Sequence, residues 1–134
     1  MTLVVDASVA TKWVLAEDGS DRANALRDAP RLIAPSLLAA EVGNALWKAV
    51  RRGDVAREDA VAALRSLLVP FDELVPSEAL HTRALELAIE LRHPIYDCFY
   101  LAPAERENAP LVTADRRLLD AVKETRLQNL VTPL

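Results

Sequence analysis

Short apolar runs alternate along the chain with longer stretches in which apolar residues recur every three or four positions. The short runs predict β-strands, because they are too brief for helices. They cover residues 3–5, 31–34, 71–75, 111–113 and 129–131. Strands that alternate with helices favour right-handed β-α-β crossovers and a mostly parallel sheet. The pattern therefore predicts an α/β fold.

The periodic stretches predict the helices between these strands. They cover residues 7–15, 21–29, 36–52, 57–69 and 78–92, with further helices opening at Asp97 and after Asp115. Ser20 and Ser77 are predicted N-caps, since a hydroxyl can accept a free backbone N–H. Pro103 predicts a kink or an early end of the Asp97 helix, because proline lacks the N–H that would bond to residue 99.

Composition limits the class of protein. With 134 residues, 51% hydrophobic and 27% charged, the chain is typical of one soluble globular domain, 1–134. Twenty acidic against sixteen basic residues give a net charge of −4. This argues against a broad electrostatic nucleic-acid binder but allows a nucleic-acid enzyme whose acidic site is neutralised by metal. No apolar run approaches the roughly 18 residues of a membrane span, and the single Cys98 fits a reducing compartment. We expect a cytoplasmic protein.

Four acids occupy positions that this topology makes special. Asp6 ends the first strand, Asp115 follows the fourth, and Asp97 begins a helix. Active sites in parallel sheets lie beyond the carboxyl ends of the strands. Glu41 lies on the 36–52 helix with apolar neighbours on either side, where a carboxylate is costly unless it is paired, protonated or bound to metal.

Carboxylates that converge repel one another, and a divalent cation removes that conflict. Mg²⁺ and Mn²⁺ prefer oxygen ligands and can activate water for phosphodiester displacement. Ser8 and Thr113 stand two residues from Asp6 and Asp115, close enough to orient a carboxylate or a water. The alternative is purely structural: each aspartate could be an N-cap, and Glu41 a residue at the rim.

A basic stripe continues from Glu41 along its helix. Lys48 and Arg52 follow seven and eleven residues later, and at about 100° per residue both fall within about 20° of Glu41. They could guide the phosphate backbone of a nucleic acid toward the metal, or they could be ordinary charges on a solvated face. His81 and His93 lack the spacing of zinc ligands, so packing or surface positions are expected for both.

Taken together, several segments resemble the PIN domain, specifically the VapC-type toxins of bacterial toxin–antitoxin pairs. The resemblance spans nearly the whole chain. The matching segments are Val5-Asp6-Ala7-Ser8-Val9, Lys12-Trp13-Val14-Leu15, Ala34-Pro35-Ser36-Leu37-Leu38, Glu41-Val42-Gly43-Asn44-Ala45-Leu46, Tyr96-Asp97-Cys98-Phe99-Tyr100-Leu101-Ala102 and Pro110-Leu111-Val112-Thr113-Ala114-Asp115.

The resemblance implies a three-layer α/β/α sandwich and metal-dependent ribonuclease activity. It implies an acidic quartet around Mg²⁺ or Mn²⁺, formed by Asp6, Glu41, Asp97 and Asp115. It also implies supporting polar groups, with Ser8 and Thr113 in that role and Asn44 as a neighbour of the site. A homodimer and a cognate antitoxin that blocks the active site complete what the family implies.

Three other functions remain open at this point. Asp6-Ala7-Ser8 resembles the start of a D-x-S-x-S metal-adhesion loop, although Ala10 replaces its second serine. A phosphatase of the haloacid-dehalogenase type would use Asp6 as a nucleophile, but would need an aspartate where Ser8 stands. A catalytically inactive PIN-like binding protein is the third alternative.

Overall fold

Five parallel strands form one sheet in the computed structural model, which describes residues 1–134. The strands are β1 (Thr2–Val5), β2 (Arg31–Pro35), β3 (Glu73–Val75), β4 (Leu111–Thr113) and β5 (Val131–Pro133). Their order is β3-β2-β1-β4-β5, so Val4 of the central strand lies opposite Ile33 on one side and Leu111 on the other. The predicted parallel α/β fold is confirmed.

Seven α-helices connect and cover these strands. They are α1 (Ala7–Val14), α2 (Ser20–Ala25), α3 (Leu37–Arg51), α4 (Arg57–Leu67), α5 (His81–Leu91), α6 (Ile95–Glu107) and α7 (Arg116–Val122). Short 3₁₀ turns cover Leu26–Asp28, Ser77–Ala79 and Gln128–Leu130. None of the helices combines the length and the apolar character that crossing a membrane requires.

Alternate residues of the sheet enter two separate hydrophobic clusters. Leu3 and Val5 of β1 pack with Val9 of α1 and Ala23 of α2 in a cluster of 6 buried residues. Val4 enters the other cluster, of 24 buried residues, which includes side chains from α3, α4, α5 and α6. Because successive side chains of a strand point to opposite faces, both faces of the sheet are covered by helices. This is the predicted three-layer arrangement.

The strand order reverses between β1 and β4. The chain adds β2 and β3 on one side of β1, then β4 and β5 on the other. In open α/β sheets a crevice forms at such a point, outside the carboxyl ends of the strands. Asp6 directly follows β1, and Asp115 lies two residues beyond Thr113 at the end of β4. The topology therefore places both aspartates at the same crevice.

Several predicted element ends were wrong, including that of β3, which begins at Glu73 rather than at residue 71. Ser20 does not cap α2, because Gly19 at a φ of 87° is the residue before the helix and the Ser20 hydroxyl instead accepts the Glu17 N–H at 2.9 Å. Ser77 makes no capping bond either, since a 3₁₀ turn precedes α5. The last strand begins at Val131 rather than at residue 129, because the residues just before it form another 3₁₀ turn.

Helix α6 begins earlier and continues further than predicted. It starts at Ile95, two residues before Asp97, and runs through Pro103 to Glu107. A proline inside a helix costs about 3 kcal/mol or more, but here its neighbours are buried on the sheet side of the molecule, namely Leu101, Ala102 and Ala104. Burial of this segment, which contacts β1, β2 and β4, offsets the lost hydrogen bond.

Candidate active site

A cavity of about 470 Å³ lies at the crevice between β1 and β4. All four carboxylates of the predicted quartet line it, and they come from four different parts of the chain. The lining consists of Asp6, Ala7, Ser8, Glu41, His93, Pro94, Tyr96, Asp97, Tyr100, Asp115 and Arg117. Residues far apart in sequence thus converge on one acidic cavity.

Asp6 is both the N-cap of α1 and the most buried acid of the cavity. Its Oδ1 accepts the Val9 N–H at 3.2 Å and the Ser8 hydroxyl at 2.5 Å, while its Oδ2 accepts the Thr113 hydroxyl. The residue is only 3% exposed. The capping role considered from the sequence and a role in the site are therefore compatible, because the cap uses only one of the two oxygens.

The electrostatic state of Asp6 follows from this burial. Loss of hydration raises the pKa of Asp6 to about 6, and the nearby charge of Asp97 adds to the rise. The bonds from Ser8, Thr113 and the Val9 N–H act in the opposite direction, because they favour the ionised form. The ionised carboxylate is thus held in place without a neighbouring cation.

Ser8 and Thr113 also join the two strand ends to each other. The Ser8 hydroxyl accepts the Ala114 N–H at 2.9 Å, and the Thr113 hydroxyl oxygen accepts the Asp115 N–H at 3.0 Å. Asp115 in turn caps α7 by accepting the Arg117 N–H at 2.9 Å. This network fixes the β4–α7 connection relative to the start of α1.

Glu41 reaches the cavity from α3 and is held by α6. Its Oε1 accepts the Tyr100 hydroxyl at 2.6 Å, a contact between residues 59 positions apart. Burial raises the pKa of Glu41, the Tyr100 bond lowers it, and the charge of Asp97 raises it. Tyr100 is 1% exposed and was not predicted as part of the site.

Asp97, in the first turn of α6, is paired with His93. The His93 Nε2 lies 2.6 Å from Asp97 Oδ2, and the histidine side chain is 11% exposed. His93, for which only a packing or surface position was expected, therefore lies in the wall of the cavity. The spacing of four residues between a histidine and an aspartate was the available signal, but His93 precedes α6, so the helical pattern does not pair the two residues.

Each of the four carboxylates keeps some capacity to accept a further hydrogen bond or a metal. Glu41, Asp97 and Asp115 each have one oxygen bonded to the protein and a second oxygen with no protein hydrogen bond. Asp6 has three donors for about four lone-pair positions, which leaves one position on Oδ2. Each carboxylate is therefore oriented by the protein and still able to accept a further partner.

Four predicted residues do not line this cavity: Thr113, which still contacts it by donating to Asp6, and three residues of the Glu41 helix and its end. Asn44 is exposed on α3, one turn after Glu41, and Lys48 and Arg52 are exposed further along. Arg52 Nε pairs with Asp54 Oδ2 at 2.9 Å. The structure therefore does not bring these three side chains to the carboxylates, and a role for Lys48 and Arg52 along the RNA path stays a prediction.

The donor set of the cavity fits a hard divalent cation. No three carboxylate or imidazole groups stand close enough to form a ready-made cation cage. Mg²⁺ does not need one, since it usually keeps several waters and binds through one or two carboxylates. The oxygens left free on the acids and the raised pKa values of Asp6 and Glu41 both fit a site in which positive charge is missing.

This fold and this cavity define a class of protein. The family model described as PIN domain matches residues 3–124, and the chain belongs to that family. Within it, the sequence is 35% identical over 136 residues to Ribonuclease VapC3 of Pyrobaculum aerophilum, covering 99% of this chain and 100% of that protein. It is 41% identical over 90 residues to Ribonuclease VapC1 of Mycobacterium tuberculosis, covering 66% of this chain and 65% of the other. The predicted resemblance to VapC-type proteins is confirmed.

Solved structures agree with the assignment. The crystal structure of PAE2754 from Pyrobaculum aerophilum has a TM-score of 0.69 and 30% identity, and covers 93% of this chain and 82% of that chain. VapBC2 from Rickettsia felis, bound to a DNA fragment from its promoter, also has a TM-score of 0.69, at 18% identity, and covers 100% and 99%. The second likeness supports the fold alone.

Proposed function

We propose that this protein is a metal-dependent endoribonuclease of the VapC type, the toxin of a toxin–antitoxin pair. The observation that carries the proposal is the convergence of Asp6, Glu41, Asp97 and Asp115 on one cavity at the crevice of the sheet. Identity to a VapC ribonuclease along the full chain supports the same function. The nuclease would act in the cytoplasm.

In this proposal the acidic quartet would hold Mg²⁺ or Mn²⁺, with one or two of the carboxylates bound directly and the others through water. A bound divalent cation supplies Lewis-acid stabilisation of phosphate charge and activates water for hydrolysis. Ser8 and Thr113 keep Asp6 in one orientation by donating to its two oxygens. Tyr100 of α6 orients Glu41 in the same way, and His93, which lies just before α6, orients Asp97. The chain's own contribution is to position acids without neutralising them.

Observations at the site disfavour each of the three alternatives. A metal-adhesion loop has no use for Glu41, which here shares the cavity with Asp6. A phosphatase with Asp6 as nucleophile would need an acid at position 8, whereas the Ser8 hydroxyl donates to Asp6 and accepts the Ala114 N–H. An inactive PIN-like protein would not need four acids with free oxygens.

The proposal includes two protein partners. A cognate antitoxin would place a basic side chain among the acids, because a charge-assisted bond there replaces the charge of the metal. A homodimer is the expected assembly. RNA is the substrate, and the acidic cavity requires metal before it can accept a phosphate.

The biochemical test is cleavage of RNA by the purified protein. We expect cleavage with Mg²⁺ or Mn²⁺, no cleavage in excess chelator, and a loss of several orders of magnitude in rate for Asp97→Asn. Asp59→Asn is the matched control, because Asp59 is exposed on α4, outside the cavity. Sequencing the cut ends would identify the cleavage position. Full activity in chelator would contradict the mechanism.

The cellular test is growth of a bacterial host. Expression of the protein alone should arrest growth, and co-expression of the antitoxin encoded beside it should restore growth. Asp97→Asn should remove the arrest, whereas Asp59→Asn should keep it. Arrest that persists in Asp97→Asn would show that the toxicity does not come from nuclease chemistry.

A further inference from the structure

A second cavity, of about 290 Å³, lies beside the acidic one and has the opposite charge. Its lining includes three basic side chains, Lys12, Arg22 and Arg116, and one acidic side chain, Asp18. The three basic residues come from α1, α2 and the first position of α7. They meet because β1 and β4, whose ends carry α1 and α7, are neighbours in the sheet.

The walls of the two cavities are hydrogen-bonded to each other. Thr113 and Ala114 line the basic cavity. The Thr113 hydroxyl donates to Asp6, and the Ala114 N–H donates to Ser8, so both residues also contact the lining of the acidic cavity. Arg116 directly follows Asp115, a carboxylate of the acidic cavity. Fewer than about 11 Å of extended chain separates Ala114 from Arg117, so the two cavities are within reach of one short nucleic-acid segment.

The basic groups of the second cavity are poorly neutralised. The Lys12 side chain is only 15% exposed, yet its ammonium has a single ion pair, at 3.8 Å to Glu17, and no hydrogen bond. Arg22 and Arg116 are exposed and have no ion pair within 4.0 Å. An anion would find one ammonium and two guanidinium groups that are available to bind it.

We propose that this basic cavity binds a backbone phosphate of the RNA next to the bond that is cut. The proposal rests on the ribonuclease function proposed above. Guanidinium groups recognise phosphate oxygens with two parallel hydrogen bonds, and an ammonium adds a point charge. The chain has a net charge of −4 and an acidic cavity, so RNA binding needs a local positive site. This cavity places that site within reach of the carboxylates.

Binding of RNA at different salt concentrations tests the proposal. The probe is a short, labelled, single-stranded RNA of mixed sequence, bound to the full chain carrying Asp6→Asn so that the probe is not cut. Each phosphate contact on a single strand contributes about −0.7 to the slope of log affinity against log salt. Adding Arg22→Gln with Arg116→Gln should flatten that slope by up to about 0.7, the contribution of one phosphate.

A charge-matched control separates this site from net charge. Arg65→Gln with Lys123→Gln removes the same two charges from exposed positions that have no ion pair and do not line the cavity. The control should leave the slope unchanged. Lys12→Met, which keeps the aliphatic stem of the buried lysine, should weaken binding as well.

Kinetics of the otherwise native protein give a second readout. The Arg22 and Arg116 changes should raise KM for RNA and leave kcat unchanged, since they remove binding that is equal in the ground and transition states. An unaltered salt slope and KM, or a lower kcat at unchanged KM, would overturn the phosphate site while the nuclease function stands. If the native protein itself does not cut RNA in the presence of Mg²⁺ or Mn²⁺, the proposed function has failed instead.

Discussion

Substitution of Asp6 by asparagine should stabilise the metal-free protein, and the gain should depend on pH. Asp6 is 3% exposed, and burial raises its pKa from 3.8 to about 6. The folded protein therefore binds a proton at this position more tightly than the unfolded chain does. Asparagine carries no charge at any pH, so it lacks the cost of burying the ionised carboxylate.

The sign and the size follow from linkage. A group whose pKa is raised on folding contributes its full stability below the unfolded value, and that stability is lost as pH rises through the folded value. The free energy of unfolding should thus fall between pH 3.8 and about 6. At 1.36 kcal/mol per pH unit, this single group destabilises the folded protein by about 3 kcal/mol at neutral pH.

The geometry suits asparagine. Its Oδ1 can keep the bonds from the Val9 N–H and the Ser8 hydroxyl, and its amide can donate to the Thr113 oxygen, as a protonated Asp6 would. The variant should therefore have nearly the native stability at acidic pH and exceed it by about 3 kcal/mol at neutral pH.

The assay is urea unfolding in chelator at a series of pH values. The quantity of interest is the difference in free energy of unfolding between native and Asp6→Asn proteins, with Asp59→Asn as an exposed control. Adding Mg²⁺ at neutral pH should stabilise the native protein more than the variant, because ligand that binds only the folded state stabilises it. A difference that does not change with pH would refute the reasoning.

Three further substitutions test the groups that hold the carboxylates. Thr113→Val removes the hydroxyl that donates to Asp6 and should lower metal affinity or activity by roughly 10- to 100-fold. Thr113→Ser keeps a hydroxyl and should retain most of the native affinity and activity. His93→Ala should lower activity through loss of the bond to Asp97, and His93→Gln should restore part of it; equal losses in both would contradict a positioning role. In the native protein the bond from the Tyr100 hydroxyl lowers the pKa of Glu41, so Tyr100→Phe should raise that pKa and move the acid limb of the pH–rate profile to higher pH. An unmoved limb would refute that assignment.

The positions of Asp6 and Asp115 could be predicted because they depend on local information. Each follows a short apolar strand, and in a parallel sheet the strand ends meet at one edge. The order of the strands, which makes β1 and β4 neighbours, was not predicted from the sequence. That adjacency is what joins Ser8 to Thr113 and brings Arg116 close to Lys12.

The partners of Glu41 and Asp97 could not be predicted for a different reason. Tyr100 contacts Glu41 across 59 positions, and nothing in the helical pattern of either residue indicates the other. His93 lies before α6 rather than in it, so helical periodicity does not relate it to Asp97. The early end predicted at Pro103 failed because burial of the surrounding helix outweighs one missing hydrogen bond.

The kind of group that orients each carboxylate determines how much negative charge the cavity keeps. The donors that orient the carboxylates are hydroxyls, backbone N–H groups and one imidazole. The arginine that reaches the cavity, Arg117, has a side chain 87% exposed and lies 3.7 Å from Asp115. A buried arginine or lysine would have neutralised the site, whereas the hydroxyl and backbone N–H donors orient Asp6 and Glu41 and leave their charge unbalanced. The cavity therefore keeps its affinity for a cation from outside the chain. A divalent metal and a basic side chain of an antitoxin would compete for that same unbalanced charge.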